Sequence, residues 1–310
     1  MTEVRLVVAE AEAGTRLDTF VSRHIPALSR RAAGALCASG GVTVDGRPGT
    51  KGGALVAGAV IVVRVPDPAR PTAETGAGLV VVLERDDLVI VDKPAGQPTA
   101  PLTSQERGTL VNALLGRYPD LLDLGFGGLE PGIVHRLDNQ TSGLVIVARC
   151  PQTFARLREV ITAELLEKRY LAVVEDHALP PVGEVTAPVV PHERSARRVR
   201  VVPAERAEHG PRPATTRFRV VARAAGLALL EVEARRAARH QIRAHLASAG
   251  HPIVGDAVYG GAAHPALAAR HALHASFVRW GGDAIVAAFS ATAPLPPELA
   301  ALGPWGSAAG

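Results

Sequence analysis

Hydrophobic positions at the start of the chain follow a helical spacing. One apolar face is formed by four residues that recur every three or four positions: Leu17, Phe20, Val21 and His24. Ser29 is a suitable N-cap for a second helix, because its side-chain oxygen can accept a backbone N–H, and Gly40 is suited to end that helix. The pattern therefore predicts two short helices.

An alternating pattern follows and predicts a β-hairpin. Residues 42–44 lead into Asp45-Gly46, a dipeptide typical of tight hairpin turns, and residues 59–65 supply a later strand. The stretch that comes next is rich in proline, which is typical of linkers. We therefore expect a small domain over residues 1–66 and a linker over residues 67–78.

From Leu79 onward, helical and strand periodicities are mixed. Strands are predicted over residues 79–83, 88–91, 143–148, 170–174, 216–222 and 228–234. Helical faces are predicted from three sets of residues: Leu110, Ala113 and Leu114; Phe154, Leu157, Ile161 and Leu165; and Ile242, Leu246 and Ala249. This pattern predicts a larger domain over residues 79–303, followed by a frayed tail over residues 304–310.

Composition limits the class of protein without identifying it. The 310 residues are 47% hydrophobic and 21% charged, a balance typical of folded globular chains. The two cysteines, Cys37 and Cys150, are too few for a disulfide framework or a zinc site with four cysteine ligands. We therefore expect a reduced, cytoplasmic protein.

Charge and hydropathy add little about partners. The net charge of +4 indicates nucleic-acid binding only weakly. The N-terminus lacks the basic region and long apolar stretch of a signal peptide. The apolar run over residues 55–63 is shorter than the ~20 residues that a membrane-spanning helix needs. No membrane role is expected, and no obligatory protein partner is indicated, so we expect a monomer.

Two polar clusters are candidates for chemistry. Arg136 and Asp138 lie in a polar segment directly before the predicted buried strand, where a rigid element can hold them in position. Arg239 and Arg243 are one helical turn apart at the start of the last predicted helix. Taken alone, the first cluster is typical of a solvated turn and the second of an exposed basic helix face.

Six short strings give these clusters a context. They are Asp92-Lys93-Pro94-Ala95-Gly96; His135-Arg136-Leu137-Asp138 with Thr141-Ser142-Gly143; Lys168-Arg169-Tyr170-Leu171; His240-Gln241-Ile242-Arg243; Gly250-His251-Pro252-Ile253-Val254-Gly255-Asp256 with Tyr259-Gly260; and Ala272-Leu273-His274-Ala275. In this order they resemble RluA-type RNA pseudouridine synthases over roughly residues 79–300. The first segment separately resembles the S-four RNA-binding module, through residues 14–18, 28–31 and 41–46.

The resemblance implies both a fold and an activity. The implied fold is α+β: a pseudouridine synthase domain with a mixed, mainly antiparallel sheet flanked by helices, preceded by a small S-four-like α/β RNA-binding domain. The implied activity is the isomerisation of uridine in structured RNA without a cofactor or a metal. Ribosomal large-subunit RNA is the expected substrate, and transfer RNA stays open as an alternative.

The resemblance also assigns roles to individual residues. Asp138 matches the catalytic carboxylate, which acts as a nucleophile or a base when the glycosidic bond is cut. Arg243 matches its guanidinium partner, which favours the charged carboxylate. Tyr170 matches the tyrosine that lines the uracil pocket. Arg136 matches an arginine that enters the helix stack when the base flips out, and His135 is expected beside it at the RNA.

Two departures from the family pattern affect the neighbourhood of these residues. Ala237-Ala238-Arg239 replaces the usual Gly-Arg-Thr before the last helix, which displaces an arginine expected at the RNA. Asn139-Gln140 replaces a charged pair that often follows the catalytic aspartate. Neither change removes a proposed catalytic group.

Basic residues support RNA binding without the resemblance. Arg23, Arg30 and Arg31 cluster near the start of the second predicted helix, whose free N–H groups also favour phosphate. A dense basic run follows in the larger domain, at Arg194, Arg197, Arg198 and Arg200. In isolation this run is typical of a solvated loop, but beside a base-flipping site it is a candidate for contacting phosphates.

Two further hypotheses stay open at this point. The chain could be a catalytically silent RNA-binding or ribosome-assembly factor, which a large distance between Asp138 and Arg243 would favour. It could also be a glycoside hydrolase that uses Asp138 with a second acid such as Glu130. A metal site at His264, His271 and His274 is not expected, because no cysteine or acidic residue completes the set.

Overall fold

The computed structural model describes residues 1–25, 28–66, 69–125, 128–203, 213–236 and 238–305. The chain divides into a smaller unit, Met1–Arg70, and a larger unit that begins at Pro71. Residues 67–68 of the predicted linker and residues 306–310 of the predicted tail lie outside the described residues. The predicted domain boundaries stay predictions.

The smaller unit is a four-stranded antiparallel sheet with two helices. Its elements are β1 (Thr2–Val7), a 3-10 turn (Glu10–Glu12), α1 (Leu17–His24), α2 (Arg30–Ala38), β2 (Val42–Val44), β3 (Arg47–Pro48) and β4 (Val60–Val65). The strand order is β1-β4-β2-β3. Leu17, Phe20 and Ile61 are fully buried in a core of its own.

The predicted helices and hairpin of this unit are confirmed. The Ser29 hydroxyl caps α2 by accepting the N–H of Ala32 at 3.2 Å. Asp45 and Gly46 both have positive φ angles, 47° and 76°, which is the backbone form of a tight hairpin turn. Strand β1 was not predicted. Its alternation is short, and its partner β4 lies more than fifty residues away along the chain.

The larger unit contains the remaining elements. They are β5 (Val80–Glu84), β6 (Leu88–Lys93), α3 (Leu110–Arg117), a 3-10 turn (Pro119–Asp123), β7 (Ser142–Ala148), α4 (Pro151–Thr162), β8 (Glu167–Glu175), β9 (Val182–Ala187), β10 (Val189–His192), β11 (Ser195–Val201), β12 (Ala214–Ala224), β13 (Leu227–Glu233), α5 (Gln241–Ser248), β14 (Leu273–Trp280), β15 (Phe289–Thr292) and α6 (Pro297–Ala300).

The main sheet of this unit is mixed and mainly antiparallel. Its strand order is β5-β6-β7-β14-β8-β13-β12-β9, and β15 pairs with the second half of β14. The pairing of β7 with β14 is the one parallel contact among the described strands. The α+β fold class is therefore confirmed.

The structure departs from the predicted elements in three places. Helix α4 ends at Thr162, so Leu165 lies beyond it and is exposed. Strands β9, β14 and β15 were not predicted. The basic run is not a loop, because its arginines lie on and beside β11, which pairs with β10 in a separate two-stranded sheet.

Within the described part of the chain, no helix combines the length and the apolar composition that crossing a membrane requires.

The parallel contact between β7 and β14 depends on a glycine. Gly143 has a φ of 113° and lies opposite Ala275. A Cβ at this position would meet the carbonyl oxygen of Ala275 at 2.3 Å and its nitrogen at 2.5 Å. Backbone atoms cannot move aside as a flexible side chain can, so only glycine allows the two strands to approach this closely.

We predict that Gly143→Ala lowers the free energy of unfolding of the larger unit by about 3 kcal/mol or more, from steric overlap and backbone strain together. Gly226→Ala is the matched control. Gly226 also has a positive φ, 76°, but a Cβ there would meet no atom within 4 Å, so a cost of only about 1–2 kcal/mol is expected. Tryptophan fluorescence during urea unfolding measures both variants, since Trp280 and Trp305 both lie in the larger unit. Equal losses of stability would contradict the steric explanation.

Candidate active site

The ends of four central strands bring the candidate residues together. Lys93 at the end of β6 lies opposite Gly143 at the start of β7, and Ser142 pairs with His274 on β14. Tyr170 on β8 lies opposite Ala275 on the same strand β14. The segment that carries Asp138 enters β7 at this point, so the sheet supplies a rigid support for it.

Asp138 and Arg243 form a direct ion pair. Arg243 Nη1 donates to Asp138 Oδ2 at 2.7 Å, although the residues are 105 positions apart in the sequence. The Arg243 side chain is 7% exposed and that of Asp138 is 27% exposed. The guanidinium is therefore buried behind the carboxylate, while the carboxylate itself remains accessible.

Asp256 holds the other edge of the same guanidinium. Arg243 Nε and Nη2 donate to Asp256 Oδ2 and Oδ1 at 2.6 and 2.9 Å, a bidentate pair. Burial raises the pKa of Asp256, but the hydrogen bonds and charge of Arg243 outweigh burial and bring it below its ordinary value. Burial likewise lowers the pKa of Arg243, and its two carboxylate partners reverse that effect. One buried cation thus forms ion pairs with two carboxylates.

His240 and Tyr259 complete the surroundings of this pair. His240 Nε2 lies 3.7 Å from Asp138 Oδ2, and His240 Nδ1 lies 3.0 Å from the hydroxyl of Tyr259. The guanidinium of Arg243 lies over the Tyr259 ring, 5.2 Å from its centroid. Burial lowers the pKa of His240 despite the opposing charge of Asp138, so the ring is neutral at neutral pH. Asp138 therefore faces a cation and a neutral imidazole.

Tyr170 is buried close to the carboxylate. Its side chain belongs to the core of the larger unit. Burial raises the pKa of the Tyr170 phenol, and the negative charge of Asp138 raises it further. The hydroxyl consequently keeps its proton at neutral pH, and the ring offers an apolar surface beside Asp138.

Lys93 fixes the segment that carries Asp138. Its ammonium is fully buried and donates to the carbonyl oxygens of Pro94, Gln97 and Asn139 at 2.8, 2.8 and 3.2 Å. Gly96 N–H donates to the same Asn139 carbonyl at 2.8 Å. Burial lowers the pKa of Lys93 to about 7, with Arg270 acting in the same direction. The residue directly after Asp138 is thus tied to the end of β6.

Other buried polar groups hold the same segment. Thr99 Oγ1 donates to the Leu137 carbonyl at 2.9 Å. His271 Nε2 lies 2.7 Å from Thr141 Oγ1, and His274 Nδ1 lies 2.9 Å from Ser142 Oγ. Burial lowers the pKa of His271 to about 3 and that of His274 to about 4, so both rings are neutral. Each hydrogen bond satisfies a group that burial would otherwise leave without a partner.

The structure corrects the expectation for His135. Its side chain is buried, and its Nε2 accepts the N–H of Ile146 on β7 at 3.2 Å. Burial lowers the pKa of His135 to about 3, and Lys168 and Arg158 lower it further. A neutral ring that bonds a core strand is a packing residue, so a direct contact of His135 with RNA does not agree with this position.

The side chain of Arg136 points outward. It is 61% exposed and its Nη1 lies 2.5 Å from Glu130 Oε1. Arg239 is also exposed, but its Nη2 donates to the Ala196 carbonyl on β11 at 2.7 Å. Ala237 lies outside the described residues. The displaced arginine therefore contacts the basic hairpin, and its remaining N–H groups face outward.

In the smaller unit, Asp18 organises the arginines near α2. Its buried carboxylate accepts from Arg16 Nε at 3.0 Å and lies 3.7 Å from Arg30 Nε. The hydrogen bond from Arg16 lowers the pKa of Asp18 more than burial raises it. Arg30 and Arg31 are both exposed. This arrangement presents several guanidinium groups at the start of one helix.

No group of three or more potential metal ligands occurs in the part of the chain that the structure describes.

Sequence reasoning missed four residues of the site. Lys93, His240, Asp256 and Tyr259 all lie in the six strings, yet none received a role there. The signal was present in their chemistry, since Asp256 and Lys93 are charged residues within apolar or glycine-rich stretches. Their partners, however, lie far away in the sequence, so only the folded chain reveals which charge each one meets.

Comparisons with known proteins match both units. A family model described as RNA pseudouridylate synthase matches residues 87–248, and an S4 domain model matches residues 15–58. The first match includes Asp138, Tyr170 and Arg243. Asp256 and Tyr259 lie beyond its end.

Several relatives are similar over nearly their whole length. An uncharacterized RNA pseudouridine synthase of Chloroflexus aurantiacus is 38% identical, with 95% of this chain and 90% of the relative covered. Ribosomal large subunit pseudouridine synthase D of Xanthomonas campestris pv. campestris is 34% identical, with 94% and 89% covered. Among solved structures, human RNA Pseudouridylate Synthase Domain Containing 1 shares the fold at 22% identity and a TM-score of 0.58, with 74% of this chain and 89% of that chain covered.

Two buried lysines of the larger unit provide a test of how the Asp138 segment is held. Lys93 has three carbonyl partners, whereas Lys168 Nζ is buried with no hydrogen-bond partner among the described residues. We predict that Lys93→Met lowers the free energy of unfolding by about 3 kcal/mol, because the carbonyls of Pro94 and Gln97 lose this donor and that of Asn139 keeps only the N–H of Gly96. It also lowers kcat by about tenfold or more, because Asp138 loses its position. Lys168→Met is the matched control, and urea unfolding and RNA turnover measure both.

The control variant has an expectation of its own. Burial lowers the pKa of Lys168 to about 8, whereas an unfolded lysine keeps its proton up to its ordinary value of 10.5. Between these values the unfolded chain binds more protons, so Lys168 makes stability rise with pH. We therefore expect Lys168→Met to be as stable as wild type or more so at pH 7, and to gain less stability between pH 8 and pH 9.5. An unchanged pH slope would contradict the buried, unpaired ammonium.

Proposed function

The chain belongs to the RNA pseudouridylate synthase family and is an isomerase that acts on RNA, and from this we propose that its substrate is ribosomal large-subunit RNA, with Asp138 as the catalytic carboxylate for a flipped-out uridine. The motifs in the sequence predicted the family, and that prediction is confirmed. The RNA target and the residue roles are the proposal.

The ion pair between Asp138 and Arg243 carries the assignment of the carboxylate. Asp138 Oδ2 accepts from Arg243, whereas no described residue donates to Oδ1. Because the guanidinium stabilises the anion from the buried side, Oδ1 is left to face the substrate. An anion in this position can attack C1′ of the ribose or remove the C2′ proton, and both routes use the positive charge that develops on the sugar as the glycosidic bond breaks.

Tyr170 and Arg136 fit the remaining requirements of the reaction. The C1′–N1 bond must break, and the detached uracil must rotate and join C1′ through C5 while it stays in the site, with C5 losing its proton and N1 gaining one. The buried Tyr170 ring beside Asp138 provides an apolar face on which a detached base can stack. The guanidinium of Arg136 is exposed, and on release of its ion pair with Glu130 it can occupy the space that a flipped base leaves in the RNA.

The same contacts weigh against the two alternatives. A silent RNA-binding factor was to be favoured by a large separation of Asp138 and Arg243, yet the two side chains are in hydrogen-bond contact. A glycoside hydrolase needs a second acid, and Glu130 is engaged by Arg136. The other carboxylate near Asp138 is Asp256, whose two oxygens are both occupied by Arg243.

The assignment of the RNA target comes from the relatives. Those of Xanthomonas campestris and Yersinia pestis are named for the ribosomal large subunit, at 34% and 32% identity. The S4 domain and the arginines at the start of α2 add a second surface for structured RNA. We also propose that the chain acts in the cytoplasm as a monomer. Transfer RNA is the alternative substrate, which the mapping experiment below distinguishes from ribosomal RNA.

We predict that Asp138→Asn abolishes product, with kcat lowered at least about 10⁴-fold, the scale on which removal of a nucleophile acts. RNA affinity should stay within about threefold of wild type, because the phosphate-binding arginines remain. Single-turnover kinetics and filter binding measure the two quantities. Turnover that survives the substitution would refute the role of Asp138.

Position-resolved pseudouridine mapping of total RNA identifies the target. It compares cells that carry the wild-type gene, the Asp138→Asn allele or a deletion. Uridines in large-subunit RNA that lose modification in both mutants would support the proposed substrate. Losses confined to transfer RNA would replace it, and no loss in either mutant would favour the silent RNA-binding factor.

We further predict that Arg30→Ala with Arg31→Ala weakens RNA binding and reduces its salt dependence. The slope of log K against log salt should fall by about 1 for each phosphate that the variant no longer neutralises. Arg5→Ala with Arg64→Ala is the matched control, since it removes the same charge from the exposed positions of β1 and β4. Equal effects of the two pairs would show that only net charge matters and that α2 has no specific role.

A further inference from the structure

The β10–β11 hairpin lies beside the active site without belonging to the main sheet. Its two strands pair only with each other among the described strands, and α5 packs against β11. Three of its arginines are exposed, Arg197, Arg198 and Arg200. The hairpin is therefore a basic arm whose position depends on a small number of interactions.

Two hydrogen bonds fasten this arm to residues that flank the catalytic pair. The N–H of Val199 donates to the hydroxyl of Tyr259 at 2.9 Å, and Arg239 Nη2 donates to the carbonyl of Ala196 at 2.7 Å. The guanidinium of Arg198 also lies over the Tyr259 ring, 5.7 Å from its centroid. Tyr259 thus contacts both the hairpin and Arg243.

The contacts of Tyr259 are consistent with one direction of hydrogen bonding. Its oxygen accepts from Val199, so its own proton is available for His240 Nδ1 at 3.0 Å. Burial raises the pKa of Tyr259, which keeps that proton on the phenol. A neutral imidazole that accepts at Nδ1 carries its proton on Nε2, the atom that faces Asp138 Oδ2 at 3.7 Å. A chain of three polar groups therefore leads from the hairpin backbone to the catalytic carboxylate.

We propose that the β10–β11 hairpin is an RNA-sensing arm, and that Tyr259 and His240 transmit its docking to Asp138 as positioning residues. RNA phosphates that bind the exposed arginines fix the position of the hairpin. This preserves the hydrogen bond from Val199 N–H to the hydroxyl of Tyr259. Tyr259 then fixes the tautomer and the orientation of His240, whose Nε2–H supports Asp138 Oδ2. The inference rests on the proposed role of Asp138, and it deepens that role by naming what aligns the carboxylate.

The physical reason for such a coupling is the exposure of the catalytic carboxylate. Arg243 supplies one hydrogen bond to Asp138, and the neighbouring His240 is a second donor only when its ring is held in one orientation. Because the hairpin has no strand partner in the main sheet, bound RNA adds to the interactions that hold it. Binding energy from distant phosphates is thereby used at the reacting centre.

A double-mutant cycle tests the proposal on the full chain. The substrate is a stem-loop that contains a uridine found by mapping to be modified by the wild-type chain, whichever RNA it comes from. Tyr259→Phe removes only the hydroxyl and keeps the ring against Arg198 and Arg243. Arg197→Ala with Arg200→Ala removes hairpin charges that do not contact Tyr259. Tyr118→Phe is the matched control, a buried tyrosine next to Arg149 outside the site.

We expect Tyr259→Phe and the hairpin variant each to lower kcat at saturating RNA by about tenfold, within the usual range of coupling between sites. Combining them should lower kcat by no more than about twofold beyond either one, because both break the same chain of polar contacts. Tyr118→Phe should retain wild-type kcat, and the dissociation constant of Tyr259→Phe for RNA should stay within about threefold of wild type.

Several results would overturn the proposal. Reductions in kcat that multiply in the combined variant would mean that the hairpin and Tyr259 act independently. A Tyr259→Phe variant with wild-type kcat, or one that changes only the dissociation constant, would limit the hairpin to binding. If the substrate is not ribosomal large-subunit RNA, the mapping experiment shows this separately. The double-mutant cycle is unaffected, because it uses whichever uridine the mapping identifies.

Amide hydrogen exchange at Val199 gives a readout that does not depend on turnover. Bound RNA should slow exchange of this amide in the wild-type chain, and Tyr259→Phe should speed it by about tenfold or more in the free protein. Unchanged exchange in the variant, or no protection by RNA, would contradict docking of the hairpin through Tyr259.

Discussion

A single buried guanidinium determines the arrangement of the active site. Arg243 is almost fully enclosed, so its charge must be neutralised by groups that the fold delivers to it. Asp256 takes two of its N–H groups and Asp138 takes one. This unequal division fixes Asp138 through Oδ2 and leaves its Oδ1 without a donor among the described residues. Loss of either acid would leave an imbalance of charge in the core.

The side chains that surround this pair are polar and buried, and burying polar groups costs free energy. Lys93, Thr99, His271 and His274 each hold a backbone or hydroxyl group of the segment that enters β7. Apolar residues would pack there at lower cost, but they could not fix the path of a polar segment next to the substrate. The buried polar groups therefore lower stability but fix the position of one carboxylate. The apolar side chains buried on the surrounding β-sheet stabilise the fold.

Local pattern in the sequence was sufficient for much of the fold, and long-range pairing was not. Three predicted features depend mainly on neighbours along the chain: the Ser29 cap, the Asp45-Gly46 turn and the buried strand that ends at Ala148. Strands β1 and β14 depend on partners far away, and both were missed. In the site, the pairing of Asp138 with Arg243 was anticipated through family motifs. The burial of His135 and the bridge from Arg243 to Asp256 were not anticipated. The spacing of residues along the chain does not reveal which distant groups a polar side chain contacts after folding.

The separation of the paired residues along the chain has a consequence for the order of events during synthesis. Asp138 lies 105 residues before Arg243, and Ser142 lies 132 residues before the histidine on β14 that it bonds. A nascent chain emerges from its N-terminus, so the RNA-binding unit is complete while most of the catalytic domain is still being made. The carboxylate meets its cation only after helix α5 has emerged. A chain that stops before α5 therefore contains the S4 unit and Asp138 but lacks the buried cation that pairs with this carboxylate.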